Sequence, residues 1–218
     1  MNPIYYLTVL ILILAVIFLI RAKLSNRKGQ VYFLKPLATI LIIFLVAYSW
    51  ANKQNYSGAY SQWILIALIL SLGGDLALML DKFRTGLILF LVVHLIYAAT
   101  FSIFSGWHMS PWYVLLSIGF LSAAIYLYLY PGLDKFKIPV LLYVLAISYM
   151  LNRAIATGFG QDFSRGQVGL IAVGAGLFYL SDLILAINRF RHPFNYHPLC
   201  LTFYYAGQLM IACSTILW

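Results

Sequence analysis

The sequence predicts an all-α, polytopic membrane protein, and three observations lead to this fold class. Of its 218 residues, 64% are hydrophobic and only 9% are charged, whereas a soluble domain carries about 25% charged residues. The mean hydropathy is +0.94. The apolar residues also fall in runs of about 20, the length that an α-helix needs to cross a bilayer. We therefore expect one transmembrane domain that comprises the whole chain, 1–218.

Eight apolar runs follow one another, separated by short segments rich in charged and turn-forming residues. They are residues 3–21, 31–50, 62–80, 85–104, 111–130, 138–157, 167–187 and 198–217. The connections are too short to hold a soluble domain. Basic residues follow the first run and none precedes it, which is the reverse of a cleaved signal peptide, so we expect this run to remain as a membrane anchor.

The basic residues lie mainly on one side of the predicted membrane. Eleven of the 14 flank the odd-numbered loops: Arg21, Lys23, Arg27, Lys28, Lys35, Lys82, Arg84, Lys135, Lys137, Arg189 and Arg191. Only Lys53, Arg153 and Arg165 flank the even-numbered loops. Since cytoplasmic loops carry an excess of Lys and Arg, we expect the odd loops in the cytoplasm and both termini outside. The net charge of +9 then reflects membrane topology and does not indicate a nucleic-acid partner.

Two similar ten-residue segments, 75–84 and 182–191, begin near the ends of spans 3 and 7. Each starts with an Asp inside an apolar run and repeats Leu, Leu, Phe and Arg at matching positions. The spans run in the same direction, which predicts two four-helix halves, about 1–107 and 108–218, related by a pseudo-twofold axis along the membrane normal. A carboxylate in hydrocarbon is costly, and its default interpretation is functional. We expect spans 3 and 7 to press together so that Asp75 and Asp182 share one proton.

Other polar residues are expected in the same cytoplasmic half of the bundle. Lys35 lies about one turn into span 2, and His94 lies about 14 Å into span 4. Tyr97 follows His94 on the same face, and Ser71 lies one turn before Asp75. The candidate lining residues of spans 6 and 8 are Asn152, Tyr204, Tyr205 and Gln208.

Several alternatives remain open at this point. Each Asp could form a structural ion pair, with Lys35 as one partner. A zinc site would need three or four converging ligands, which His94, the two Asp residues and His197 could supply, but the chain has no HExxH motif or paired-His spacing. A proton-coupled transporter is also compatible with duplicated halves and buried acids. The Asp-bearing spans, however, lack proline breaks, and their acids lie towards one side instead of the midplane.

Several motifs resemble the YhhN-type lysoplasmalogenase family of eight-span membrane proteins. They are Lys35-Pro36-Leu37 in span 2, Ser71-x-x-Gly74-Asp75-x-x-Leu78-Met79 in span 3, Gly86-Leu87-x-x-Phe90-x-x-x-His94-x-x-Tyr97 in span 4, Gly174-Ala175-x-x-Phe178-x-x-Ser181-Asp182-x-x-Leu185-Ala186 in span 7, and Tyr204-Tyr205-x-x-Gln208 in span 8. Spans 5 and 6 offer little to match beyond Tyr143, Met150 and Ala154. The resemblance rests on the blocks taken together and in this order.

The resemblance implies hydrolysis of the vinyl ether bond of lysoplasmalogens, which gives a fatty aldehyde and glycerophosphoethanolamine or glycerophosphocholine. Such a reaction needs an acid that protonates the double bond and a second carboxylate that stabilises the cation or activates water, a division of labour similar to that of glycosidases. Asp75 and Asp182 would fill these roles. Lys35 would suit the substrate phosphate, and His94 with Tyr97 would orient a carboxylate or water. The scheme requires no metal or cofactor, and its expected partners are a lysophospholipid and membrane lipid.

Overall fold

A computed structural model describes residues 3–52, 56–194 and 197–217, and these residues form eight α-helices and no β-strand. The helices are α1 (Pro3–Leu24), α2 (Lys28–Ala51), α3 (Tyr56–Met79), α4 (Phe83–Phe104), α5 (Trp112–Leu129), α6 (Lys137–Ala156), α7 (Arg165–Phe190) and α8 (His197–Ser214). Short 3-10 turns occupy Tyr130–Gly132, Asp134–Phe136 and Thr157–Phe159. Each predicted apolar run corresponds to one helix, so the all-α prediction is confirmed.

Seven of the helices in the described part of the chain, α1 to α7, are long and apolar enough to cross a membrane. Helix α8 has 18 residues, as α5 does, and it carries Thr202, Gln208 and two tyrosines among its apolar residues. These polar side chains lower its mean hydropathy. Gln208 and the two tyrosines are buried, whereas Thr202 is exposed. The eighth membrane span stays a prediction.

Large apolar side chains cover the outside of the bundle, especially on α5 and α6. Phe120 is 80% exposed, Ile138 is 72% exposed and Leu116 is 62% exposed. Soluble monomers rarely expose contiguous apolar surface on this scale. This surface is the one expected for helices in contact with lipid tails, and it agrees with a multi-pass membrane protein.

Helix α7 packs most extensively against α8, and α3 packs against α4 and α2. The α7–α8 contact is close because two glycines face each other across it. A Cβ atom at Gly174 would lie 2.9 Å from the Gly207 carbonyl oxygen, and a Cβ atom at Gly207 would lie 2.7 Å from the Gly174 carbonyl oxygen. At the start of α7, Ser164 and Gln167 form a capping box. The Gln167 side-chain amide also donates a hydrogen bond to the Ser214 carbonyl, 3.3 Å away, which joins the start of α7 to the end of α8.

Helices α3 and α7 have no extensive contact with each other in the described structure. The Phe90 ring of α4 contacts both of them. A Cβ atom at Gly74 of α3 would lie 2.7 Å from this ring, and the Phe178 ring of α7 packs edge-on against it with centroids 6.2 Å apart. The expectation that α3 and α7 press together is therefore wrong, because α4 inserts an aromatic ring where they would meet.

The end of the bundle at the even-numbered loops carries few basic residues. Of the three expected there, Lys53 lies outside the described residues. Arg153 is only 5% exposed, and its guanidinium donates hydrogen bonds to Ser102 Oγ at 2.6 Å and to the His108 carbonyl at 2.7 Å. Arg153 thus fastens the α4–α5 loop to α6, in addition to any role in membrane orientation.

Candidate active site

A polar cavity of about 340 Å³ lies at the opposite end of the bundle, where the odd-numbered loops are. Its wall includes residues from α1, α2, α3, α4, α7 and α8 and from the short α3–α4 turn. The charged residues in this wall are Lys23, Lys35, Asp75, Asp81, Asp182 and Arg189. Both repeated aspartates therefore line one cavity, together with three basic residues.

Asp75 on α3 is held by three donors. Lys35 Nζ lies 3.0 Å from Asp75 Oδ1, and the two side chains are 12% and 2% exposed. Thr39, one turn after Lys35 on α2, donates its hydroxyl proton to Asp75 Oδ2 over 2.8 Å. The Tyr204 hydroxyl of α8 donates to the same oxygen, also over 2.8 Å. Since one donor is a cation and all three point at the carboxylate, these contacts stabilise Asp75 in its ionised form.

Helix α8 supports this arrangement with two further side chains. Gln208 donates an amide proton to the Tyr204 hydroxyl oxygen over 3.0 Å. The Tyr205 hydroxyl donates to the backbone carbonyl of Lys35 over 3.0 Å. The three residues predicted on span 8 therefore all lie near Asp75, but only Tyr204 contacts it and lines the cavity.

Asp182 on α7 is held by a different pair of side chains. The Tyr143 hydroxyl of α6 donates a short hydrogen bond to Asp182 Oδ2. His94 Nε2 of α4 lies 3.2 Å from the same oxygen and 3.0 Å from the Tyr143 hydroxyl. Asp182 Oδ1 makes no hydrogen bond with the described residues, and the side chain is 14% exposed. This carboxyl group thus has one oxygen fixed by the protein and one available to the cavity.

An apolar pocket of about 70 Å³ adjoins the polar cavity. Helices α4, α5, α6 and α7 supply most of its wall, with Ile125, Leu129, Val140, Val144 and Ile147 among the lining residues. Five residues line both the pocket and the polar cavity: Leu78, Phe83, Phe90, Asp182 and Leu185. Asp182 is the ionisable member of this shared wall, so it lies where an aliphatic environment meets a charged one.

The two carboxylates do not hydrogen-bond to each other. Asp75 is bonded to α2 and α8, whereas Asp182 is bonded to α4 and α6. The direct sharing of one proton that the repeat suggests is therefore absent from this structure. The ion pair that Lys35 offers is formed with Asp75 and not with Asp182.

Six of the ten predicted site residues line neither cavity. His94, Tyr205 and Gln208 hydrogen-bond to residues of the cavity wall, as described above, whereas Ser71, Tyr97 and Asn152 do not. Ser71 is buried and donates its hydroxyl proton to the Ala67 carbonyl of its own helix, 3.0 Å away. Tyr97 is buried and stacked on Phe101, with ring centroids 5.9 Å apart. Asn152 lies at the other end of the bundle, where its side-chain amide donates to Ser110 Oγ over 2.7 Å. Asn152 lies nine residues after Tyr143 on α6, or about 14 Å along the helix, and Tyr143 is the residue of α6 that contacts Asp182.

Sequence reasoning gave no role in the site to Thr39 or Tyr143. Thr39 could have been found, because it follows Lys35 by four residues and therefore shares its helical face. Tyr143 is one of the few family matches in span 6, but nothing in the sequence connects it with Asp182, since the chain has 17 tyrosines and no charged residue lies next to Tyr143. Lys23 and Asp81 were assigned only to loop ends, although both line the polar cavity.

The described residues contain no group of three His, Cys or Asp side chains placed to hold a metal ion. His94 and Asp182 are in contact, but the third position beside them is the Tyr143 hydroxyl. The His197 side chain, considered as a ligand from the sequence, lies outside the described part of the structure. The described residues therefore supply no set of three donors for the zinc-dependent alternative.

Comparison with known proteins gives a consistent result. A sequence model of the YhhN family matches residues 30–215. The chain is 33% identical over 185 residues to lysoplasmalogenase TMEM86A from Bos taurus, which covers 81% of this chain and 73% of that protein. It is 33% identical over 177 residues to human lysoplasmalogenase TMEM86B, covering 80% of this chain and 72% of the relative. A lysoplasmalogenase homolog from Dictyostelium discoideum is 24% identical over 242 residues, covering 87% and 78%. No solved structure matches the chain.

Proposed function

Because this chain belongs to the YhhN family, we propose that it is a membrane hydrolase that cleaves the vinyl ether bond of lysoplasmalogens. The products are a fatty aldehyde and glycerophosphoethanolamine or glycerophosphocholine. The names of the relatives support the substrate class. The different contacts of Asp75 and Asp182 support different roles for the two carboxyl groups.

The position of Asp182 carries the proposal. A lysoplasmalogen is an amphiphile whose alkenyl chain joins a charged glycerophosphate head group at the vinyl ether bond. Asp182 lies where the apolar pocket meets the charged cavity. A substrate with its head group in the polar cavity and its first chain carbons in the apolar pocket places the vinyl ether beside Asp182. The remaining carbons extend outwards between the helices to the lipid.

We assign the proton donor to Asp182. Cleavage of a vinyl ether begins when an acid protonates the carbon of the double bond that is remote from oxygen, which leaves an oxocarbenium ion. Tyr143 and His94 hold Oδ2 of Asp182 and leave Oδ1 to carry the proton. General acids of this kind act through position as well as acidity, and the contacts from α4 and α6 fix that position.

Asp75 acts as the second carboxyl group, which is ionised when the substrate binds. Lys35, Thr39 and Tyr204 stabilise its ionised form, and its negative charge stabilises the oxocarbenium ion in the same cavity. Asp75 then accepts a proton from the water that attacks the cationic carbon. As the hemiacetal breaks down, its hydroxyl proton passes to Asp182, and Asp75 returns its proton to the departing glycerol oxygen. The products are the aldehyde and the free glycerol hydroxyl, one water molecule is consumed, and both carboxyl groups regain their starting protonation.

We place the cavity on the cytoplasmic side of the membrane. It lies at the end of the bundle that carries eleven of the 14 basic residues, and basic loops favour the cytoplasm. Under this orientation both termini face outwards, and substrate enters from the inner leaflet.

The test is aldehyde release by purified protein from a lysoplasmalogen and from its saturated ether analogue. Only the vinyl ether is expected to react, because the analogue has no double bond to protonate. Reaction in D₂O is expected to place one deuterium on the carbon next to the aldehyde, and reaction in H₂¹⁸O is expected to leave the glycerol hydroxyl unlabelled. Cleavage of the saturated ether, or ¹⁸O in the glycerol product, would contradict the mechanism.

The residue assignment is tested by Asp182→Asn and Asp75→Asn, which are each expected to abolish aldehyde release while the protein still inserts and folds. Asp134→Asn is the matched control, because Asp134 is an exposed aspartate in a turn at the same end of the bundle and lines neither cavity. Wild-type turnover by either cavity variant would refute the assignment.

A further inference from the structure

Lys23, in the last turn of α1, lines the polar cavity and also a second cavity of about 270 Å³ beside it. The two cavities share Lys23, Leu78, Met79 and Asp81. Lys23 is half-buried, and the nearby charges that act on it are Lys35 and Asp81. This lysine therefore lies between the polar cavity, which contains Asp75 and Asp182, and the second cavity beside it.

The charge of Lys35 is already compensated. Its ammonium group is in a buried ion pair with Asp75, with 3.0 Å between the charged atoms. Removing a cation from such a pair to serve a ligand would leave the Asp75 carboxylate buried without its counter-ion, which is costly. Lys35 is thus poorly suited to the phosphate role that the sequence suggests for it.

The charge of Lys23, unlike that of Lys35, is not compensated by an ion pair with the described residues. Among the described residues it forms no ion pair within 4 Å, whereas Lys35 and His94 both contact a carboxylate. Asp81 is the nearby carboxylate, but it is not within ion-pair distance of Lys23. Partial burial of a cation that has no such partner is unfavourable, and a bound anion would relieve it. A second cation, Arg189 at the end of α7, lines the same cavity and lies over the Phe83 ring, 4.9 Å from its centroid.

We propose that Lys23 binds the phosphodiester of the lysophospholipid head group, with Arg189 as a second contact at the rim. This inference rests on the proposed function, because it places the phosphate of the same substrate. Lys23 and Asp182 line one cavity, and three glycerol carbons separate the phosphate, which we place at Lys23, from the vinyl ether oxygen, which we place at Asp182. Residue 23 precedes the segment 30–215 that matches the family, so α1 adds a substrate contact from outside that segment.

The experiment compares two vinyl ethers, 1-alkenylglycerophosphoethanolamine and the uncharged 1-alkenylglycerol, with the wild type, Lys23→Met and Lys23→Arg. Lys23→Met is expected to raise KM for the phosphodiester about tenfold, the effect of losing one hydrogen bond to a charged group, and to leave kinetics with 1-alkenylglycerol unchanged. Lys23→Arg is expected to retain most of the wild-type KM, because it keeps the charge. Lys82→Met is the matched control, since Lys82 is an exposed lysine at the same end that lines no cavity.

A second measurement does not depend on turnover. Glycerophosphoethanolamine is expected to raise the unfolding temperature of the wild type and of Lys82→Met, and to have little effect on Lys23→Met. Equal changes for both substrates in Lys23→Met, or undiminished stabilisation by glycerophosphoethanolamine, would overturn the assignment. A wild type that is stabilised by this compound and yet cleaves neither vinyl ether would refute the proposed function and leave the phosphate site standing.

Discussion

The phenol of Tyr143 on α6 donates a hydrogen bond to the Asp182 carboxylate on α7. The oxygen that accepts it also lies 3.2 Å from His94 Nε2 on α4. Three helices thus meet at one carboxylate oxygen, and the other oxygen makes no hydrogen bond with the described residues. This arrangement fixes the direction in which Asp182 presents a proton, and it makes Tyr143 a positioning residue in the proposed reaction.

Replacement of Tyr143 by Phe tests that role. The change removes the donor and keeps the ring, so Asp182 gains freedom to rotate without a large change in packing. We expect kcat to fall about ten- to hundredfold, the range for a small misplacement of a reacting group, with KM nearly unchanged. The measurement is steady-state aldehyde release by Tyr143→Phe and by Tyr149→Phe, whose phenol is on the same helix but 45% exposed. A raised KM with normal kcat would instead make Tyr143 a substrate-binding residue.

The buried ion pair between Lys35 and Asp75 gives a prediction about stability. Lys35→Met leaves the Asp75 carboxylate with two hydroxyl donors and no cation, and breaking a buried pair in this way costs about 3–5 kcal/mol. The double variant Lys35→Met/Asp75→Asn removes both charges, so we expect it to unfold at a higher temperature than Lys35→Met alone. Thermal unfolding in detergent measures the effect, with the exposed Lys28→Met as control. If the losses of unfolding free energy in the two single variants simply added in the double variant, the pair would not be energetically coupled.

Local sequence pattern was sufficient to predict eight helices and the polar residues that lie near one another. Lys35, Asp75 and Asp182 each interrupt an apolar run. Charged side chains within membrane spans almost always face the interior of the helix bundle, so the sequence predicts that these three lie inside it. The structure brings all three to one cavity. The repeat of two four-helix halves stays a prediction.

The sequence pattern did not predict which helices contact each other. A helical period shows which residues share a face, but it does not show which other helix that face meets. Hence the sequence did not reveal that Phe90 separates α3 from α7, or that the phenol of Tyr143 reaches Asp182. The motif containing His94 and Tyr97 also predicted one shared role, whereas His94 contacts Asp182 and Tyr97 stacks on Phe101 in the core.

The apolar pocket gives a prediction about the substrate chain. Val144 lines the pocket and is 8% exposed, so Val144→Phe would fill space that we assign to the first chain carbons. We expect kcat/KM for a long-chain lysoplasmalogen to fall at least about tenfold, because the ring and the substrate chain cannot occupy the same space. Forcing extra atoms into a packed site costs about 1–3 kcal/mol, which corresponds to a loss of this size. Leu145→Phe is the control, since Leu145 is the next residue and is 55% exposed. Equal activity of the two variants would place the chain elsewhere.

The glycine contact between α7 and α8 links packing to catalysis. Substituting Ala for Gly favours an isolated helix by about 1 kcal/mol, so Gly176→Ala, where nothing lies within 4 Å of the new Cβ, should leave stability unchanged or raise it. Gly174→Ala should do the opposite, because its Cβ would lie 2.9 Å from the Gly207 carbonyl and the two helices would have to move apart. Such overpacking costs about 1–3 kcal/mol.

That movement also has a functional consequence. Helix α7 carries Asp182, and α8 carries Tyr204, which is bonded to Asp75. Separating α7 from α8 therefore changes the distance between the proposed acid and the proposed carboxylate. We expect Gly174→Ala to lower both the unfolding temperature and kcat, and Gly176→Ala to lower neither. If Gly174→Ala lost stability but kept wild-type kcat at a temperature where it is fully folded, the spacing of α7 and α8 would have no part in placing the two carboxyl groups.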